Sequence, residues 1–127
     1  MTKYLTKGQI QSVEDVPYQD VEVPEWGGMV RVRGLTGTER DAMEASMVEG
    51  KGKKADVNLA NLRAKLCARC MVDDNGKRLF NDMEIPELGR KSAKALERVF
   101  SVARELSGLS DEDIDELTKN SDEGQSE

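Results

Sequence analysis

The sequence has no histidine, five aromatic residues among its 127 positions, and no uncharged run longer than six residues. Without histidine, the commonest general base and a principal zinc ligand are missing. Without a long apolar run there is neither a membrane span nor a signal-peptide core, so the sequence predicts a soluble protein of the cytosol in which it is made. The aromatics are Tyr4, Tyr18, Trp26, Phe80 and Phe100, and hydrophobic residues make up 37% against 35% charged. That balance allows a single domain with a small core, and self-association would help such a chain bury apolar surface.

The net charge is −6 and is unevenly placed. From Ser110 onward eight acidic residues face Lys119 alone, which leaves the rest of the chain close to neutral. A dedicated nucleic-acid binder would carry a clustered basic excess, and none is present.

The stretch Val21–Met43, VEVPEWGGMVRVRGLTGTERDAM, is the most informative. Gly27-Gly28 fits the two-residue loop of a type I′ hairpin, which would set Trp26 opposite Met29, Val23 opposite Val32 and Glu22 opposite Arg33. The period of two places Val21, Val23, Val30 and Val32 on one face, with Glu22, Arg31 and Arg33 on the other. Pro24 cannot donate a ladder hydrogen bond, so its strand is assigned to an edge. An isolated hairpin is marginal in water, so this one must lie on helices or on another chain.

The rest of the chain is helical in pattern. Thr36 with Glu39 forms a capping box for a helix whose apolar face is thin: Ala42, Met43 and Met47. After the Gly/Lys-rich loop Glu49–Ala55 comes a longer helix with Leu59, Leu62, Leu66, Cys67 and Cys70 at helical spacing. Asp73 to Gly76 forms a turn from which Lys77–Phe80 could return as a short strand beside Arg69–Val72, and Asn81 can cap a single turn. Ala93, Leu96, Val99, Phe100, Ala103 and Leu106 line the last strong helix, which Gly108 closes. Ser110 with Asp113 marks one further helix start, and Thr6 with Gln9 marks another near the beginning.

The sequence therefore predicts an α+β fold, mainly α, with a small hairpin packed on a bundle of three to four helices. Residues 1–17 form an arm or short helix. A single domain covers 18–118, with the hairpin at 20–35 and helices at about 37–48, 56–71, 90–107 and 110–118. Residues 119–127 form a disordered acidic tail.

No residue pattern nominates an active site. Cys67-Ala68-Arg69-Cys70 is a lone CxxC without a second pair or a thioredoxin-like setting, which favours buried core thiols. Met71–Asp82 aligns Asp73, Asn75 and Gly76 with a calcium loop, but methionine stands at the first ligand position and aspartate at the twelfth, so a plain turn is favoured. The basic residues of the last helix, Lys91, Lys94, Arg98 and Arg104, alternate with Glu97 and Glu105 as on an ordinary solvated face. No metal or other cofactor is implied. Trp26 beside a Gly-Gly turn has two readings, local packing on Met29 or an anchor in a protein interface.

The order VEVPEWGGMVRVRGLTGTERDAME, CMVDDNGKRLFND, LGRKSAKALERVF, then LSGLS and KNS, resembles the tail assembly chaperones of bacteriophages with long flexible tails. It is similar to the shorter product of the pair that these phages make by programmed frameshifting, over about residues 21–121. The resemblance implies a non-enzymatic, self-associating chaperone in the host cytoplasm. Such a protein coats the tape measure protein during tail assembly and is absent from the virion. It further implies that a longer, frameshifted form recruits tail tube protein. The family offers no catalytic residues to carry over. On this reading Trp26, Met29, Arg31, Arg33, Met43 and Met47 are the candidate partner-binding residues, because methionines adapt to varied sequences. The alternatives are a structural tail-completion or connector protein of the virion, and a small nucleic-acid-binding regulator. No nucleic-acid or membrane partner is expected.

Overall fold

A computed structural model describes residues 3–48, 62–110 and 112–114. The predicted loop at 49–55, the first part of the helix at 56–71, the end of the helix at 110–118 and the acidic tail at 119–127 lie outside the described residues.

Valine alternation builds the sheet. β1 (Tyr18–Val23) pairs antiparallel with β2 (Gly28–Arg33), and Val21, Val23 and Val32 are buried on one face. The register differs from the type I′ expectation. Val23 lies opposite Gly28, Glu22 opposite Met29 and Val21 opposite Val30. A type I′ turn needs two residues at positive φ, and here Gly27 alone, at φ 80°, adopts that conformation. Proline fixes φ near the helical value, so Pro24–Trp26 forms a 3-10 turn, closed by the Gly27 N–H donating to Val23 O and Pro24 O, both at 3.1 Å. The slip from the expected pairing is an even number of residues, so every side chain keeps its face.

A third strand, β3 (Met71–Val72), extends the sheet on the far side of β2, with Val32 opposite Met71. β1 is therefore an edge. β3 follows directly on the helix Leu62–Cys70, so Met71, assigned by the sequence to the helix end, belongs to the sheet. Beyond the Asp73–Gly76 turn, Val72 bridges Arg78, and the Leu79 N–H donates to Met71 O at 3.1 Å.

Among the described residues the helices are α1 (Lys7–Ser12), α2 (Gly37–Val48), α3 (Leu62–Cys70), α4 (Ile85–Leu88) and α5 (Ala93–Leu106), and residues 112–114 are helical as well. α5 carries Ala95, Leu96, Val99, Phe100 and Ala103 on its buried stripe and packs against both α3 and the sheet. Ala93, expected on that stripe, is exposed in the first turn. Ser92 caps the helix start, and at its end the Leu109 N–H donates to Arg104 O and the Gly108 N–H to Glu105 O, a Schellman closure that buries Leu109. The core joins α5, α3, the valine face and Met43 of α2. The fold is α+β and mainly helical, with the small sheet seated on the helices.

Two contacts lock strand to helix. Gly34 is buried at the end of β2, where a Cβ would stand 2.5 Å from the backbone oxygen of Leu106. The next residue, Leu35, donates its N–H to Ser107 Oγ at 3.0 Å. The α2 start is fixed by a reciprocal capping box between Thr36 and Glu39. Glu39 also accepts both Arg33 amino groups, linking the last strand residue to the helix. Among the described residues Arg69 is the buried charged side chain. It reaches Asp82 at 3.4 Å while its Nε meets no acceptor.

Candidate partner-binding surface

The same sheet and helices leave one apolar edge open. Trp26 is held in its turn, half-buried, while its neighbour Glu25 accepts from the Arg98 Nε and Nη2 at 2.9 and 3.1 Å, tying the turn to α5. Across from it, the Asp73–Gly76 turn returns the chain so that Leu79 and Phe80 project beside Val30 of β2. Leu88 of α4 and Met71 form the floor, and Lys91 stands at the rim. Together they line a groove of about 330 Å³. A second depression shares Val30 and Leu79 and continues past them to Met29, Arg31, Asp73 and Asp74. Leu79 is 48% exposed and Met29 66%. Met83, after the return of the chain, is 89% exposed. Exposed apolar side chains gathered along one groove are a feature of protein docking surfaces.

The predicted binding residues divide between this surface and the interior. Trp26 lines the groove, and Met29 and Arg31 line the adjoining depression. Arg31 is ion-paired with Asp20 at 2.9 Å and lies 4.4 Å over the Tyr18 ring, so the outer face of the sheet presents a stacked, ordered guanidinium. Arg33 is committed to Glu39 and half-buried. Met43 is 1% exposed and belongs to the core, because α2 packs on α3 and turns that side chain inward; it is not available to a partner as the sequence reading supposed. The Met47 side chain lies outside what the structure describes. Sequence reasoning did not place Val30, Leu79, Phe80 and Lys91 on this surface. The apolar pair Leu79-Phe80, two residues beyond the Asp73–Gly76 turn, was the available signal, since so short a return gives such side chains little to hide beneath.

The other candidate sites take on structural roles. Cys67 and Cys70 are fully buried on α3; the Cys67 thiol donates to Leu96 O at 3.5 Å, and Cys70 sits 4.0 Å from Ser107 Oγ. Burial pushes both thiols up to about 12, so neither supplies thiolate near neutrality. Native protein at pH 8 should therefore show no thiol reacting rapidly with a disulfide reagent, and both should react once denaturant is added. Rapid modification of either in the native state would place it at the surface. Asp73 Oδ1 accepts the backbone N–H of Asn75 and of Lys77 at 2.8 and 2.9 Å, an Asx-type turn closing the sequence once compared with a calcium loop. Among the described residues no three His, Cys, Asp or Glu side chains group as metal ligands, and no helix is long and apolar enough to cross a membrane. On the outer side of α5 the basic residues are interleaved with acids. Arg98 is tied to Glu25, and Arg63 of α3 to Glu97 at 2.8 Å.

What remains is an open apolar groove on a small α+β domain whose thiols and helix arginines are engaged internally and whose Asp73 carboxylate shapes its own turn. The pattern of residues that builds this domain also matches a family model, described as phage tail assembly chaperone, over residues 12–120. No curated protein and no solved structure matches the chain. The family match spans the sheet, the groove and every described helix except α1, of which it reaches only Ser12, and on that extent the chain belongs to the phage tail assembly chaperone family.

Proposed function

We propose that this chain binds the tape measure protein and keeps it soluble during tail morphogenesis, without catalysis. The groove at Trp26, Leu79 and Phe80, with Met29 beside it, carries this reading. A tape measure protein is long, and until the tail tube forms around it its apolar helical faces are uncovered. An open groove lined by aromatic and flexible apolar side chains suits the apolar stripe of such a helix, and its residue types tolerate varied sequences. In this reading the chain is the shorter, unshifted product. It works in the host cytoplasm as a homo-oligomer, and it leaves before the particle is complete. A longer frameshifted form would bring in tail tube protein. Residues 18–118 act as the working domain, with 119–127 as an acidic tail.

The direct test is co-expression with the tape measure protein, comparing soluble yield with and without the chain. The expected result is a soluble complex with the native chain and an affinity for the partner weakened about thirtyfold by Trp26→Ala, since tryptophan anchors commonly carry about 2 kcal/mol or more of binding. The melting temperature of that variant should move far less than its partner binding. Precipitation of the partner to the same extent in the presence and absence of the chain would remove this function. A structural role in the virion makes the opposite prediction for purified particles, where mass spectrometry would recover the chain in stoichiometric amount.

A further inference from the structure

We infer that residues 3–17 of one copy seat in the Trp26–Leu79 groove of a second copy, forming a reciprocal dimer whose arms cover the groove when no other chain does. The arm is a built element. Thr6 and Gln9 cap α1 reciprocally, at 2.9 and 3.2 Å, so the helix start is specified locally. Yet α1 buries nothing on its own domain. Tyr4 is 88% exposed, and Leu5, Ile10 and Val13 are each about 60% exposed. A six-residue helix is too short to persist alone in water, and the four large apolar side chains on and beside it are left exposed on their own domain. The groove is the complementary case, an apolar floor with nothing seated on it.

Charge selects the occupant and its direction. The arm begins with Lys3 and Lys7 and ends with Glu14 and Asp15, with the apolar residues between. The groove is polarised in the opposite sense: Asp73 and Asp74 stand in the depression beyond the Val30–Leu79 pair, where Arg31 is offset by its ion pair with Asp20, and Lys91 stands in the groove at Trp26. An arm laid with Lys7 toward Asp73 and Asp74 brings Glu14 and Asp15 toward Lys91 and sets Leu5, Ile10 and Val13 over Val30, Leu79 and Phe80. Complementary potentials of this kind fix register and orientation. One seat engages only a few apolar side chains. A twofold pair doubles the buried area toward the ~1,200–2,000 Å² typical of specific interfaces, and the isologous symmetry closes the assembly at two copies.

The inference concerns the chain alone and is tested without a tape measure protein, so it stands or falls separately from the client-binding reading. Sedimentation velocity of the full chain over a concentration series should show a reversible monomer–dimer equilibrium. Ile10→Asp on the arm and Leu79→Asp in the groove should each weaken it by about tenfold or more while leaving the circular-dichroism melting curve near that of the native chain, because neither residue is part of the core. Mixed Ile10→Cys and Leu79→Cys chains should form a disulfide-linked heterodimer on mild oxidation, the native cysteines being buried. A chain that stays monomeric throughout the series would overturn the inference. So would an unchanged equilibrium in both Asp variants. A third contrary result is a doubly substituted Ile10→Cys/Leu79→Cys chain that closes on itself without dimerising, which would place the arm in its own groove.

Discussion

Gly34→Ala is expected to destabilise the protein by about 2–3 kcal/mol. A Cβ at this position would lie 2.5 Å from the Leu106 carbonyl oxygen and 3.0 Å from the Leu106 carbonyl carbon. Both are backbone atoms at the end of α5, so no side chain can swing aside to make room. Relief requires β2 to move away from α5. That shift strains the Gly34 N–H bond to Pro17 O at 2.9 Å and the Leu35 N–H bond to Ser107 Oγ at 3.0 Å. For a domain of about 100 residues, a loss of this size lowers the melting temperature by about 10 °C or more. Gly37→Ala is the matched control. Nothing lies within 4 Å of its added methyl group, and it sits in the first turn of α2. Alanine is the better helix former there, so that variant should melt at or slightly above the native temperature. Equal melting curves for the two variants would show that the strand and helix do not meet at Gly34.

The second large effect centres on Glu39. This carboxylate closes the capping box with Thr36 and accepts both amino groups of the half-buried Arg33. The hydrogen-bonded Arg33 guanidinium is the chief reason that its carboxyl is held down to about 2, with the Thr36 N–H adding to the effect and burial opposing it. Glu39 titrates near 4.5 in the unfolded chain and near 2 in the fold. Its stabilisation is therefore complete above the unfolded value and is lost as the pH falls toward 2, amounting to about 2 kcal/mol after allowance for partial solvent screening. Glu39→Gln keeps a capping-box side chain and removes the charge. It should lower stability at pH 7 by about 2 kcal/mol, and the difference from the native protein should shrink as both are titrated to acid. Glu39→Ala removes the cap as well and should cost about 1 kcal/mol more. Urea melts at pH 7 and pH 3 measure both. A Glu39→Gln deficit as large at pH 3 as at pH 7 would show that the ion pair is not its source.

These two sites show where local pattern suffices and where it does not. The capping boxes at Thr6, Thr36 and Ser110 were legible because each joins residues three apart, and each is present with both of its hydrogen bonds. The valine face was legible because side-chain direction in a strand depends only on parity. For the same reason it survived a wrong turn type. The exact pairing was not legible, since both a Gly-Gly loop and a Pro-led turn ending in glycine fit the residues. The choice fell to Pro24, whose restricted φ favours the 3-10 turn. The Arg33–Glu39 link, six residues apart, needed the angle between strand and helix before it could be seen.

The candidate surface was only partly visible for a related reason. Trp26 and Met29 stand out by residue type, and they line the two neighbouring depressions. Met43 stands out equally and lies in the core. Methionine serves interior and surface alike, and only the packing of α2 decides between them.

By itself the sequence determined what depends on neighbours in the chain: helix starts and stops, strand faces, the lone buried-type cysteine pair, and the segment order that resembles tail assembly chaperones. The tertiary structure decided what depends on residues far apart in the chain. Met71–Val72 became a third strand because β2 offered unpaired backbone groups on that side. Position 34 requires glycine because the backbone of residue 106, distant in sequence, passes within contact distance. The groove exists because a turn at Trp26 and a return at Leu79 come to rest side by side. Such long-range meetings are fixed by the packing of the whole core, and no short stretch of sequence encodes them.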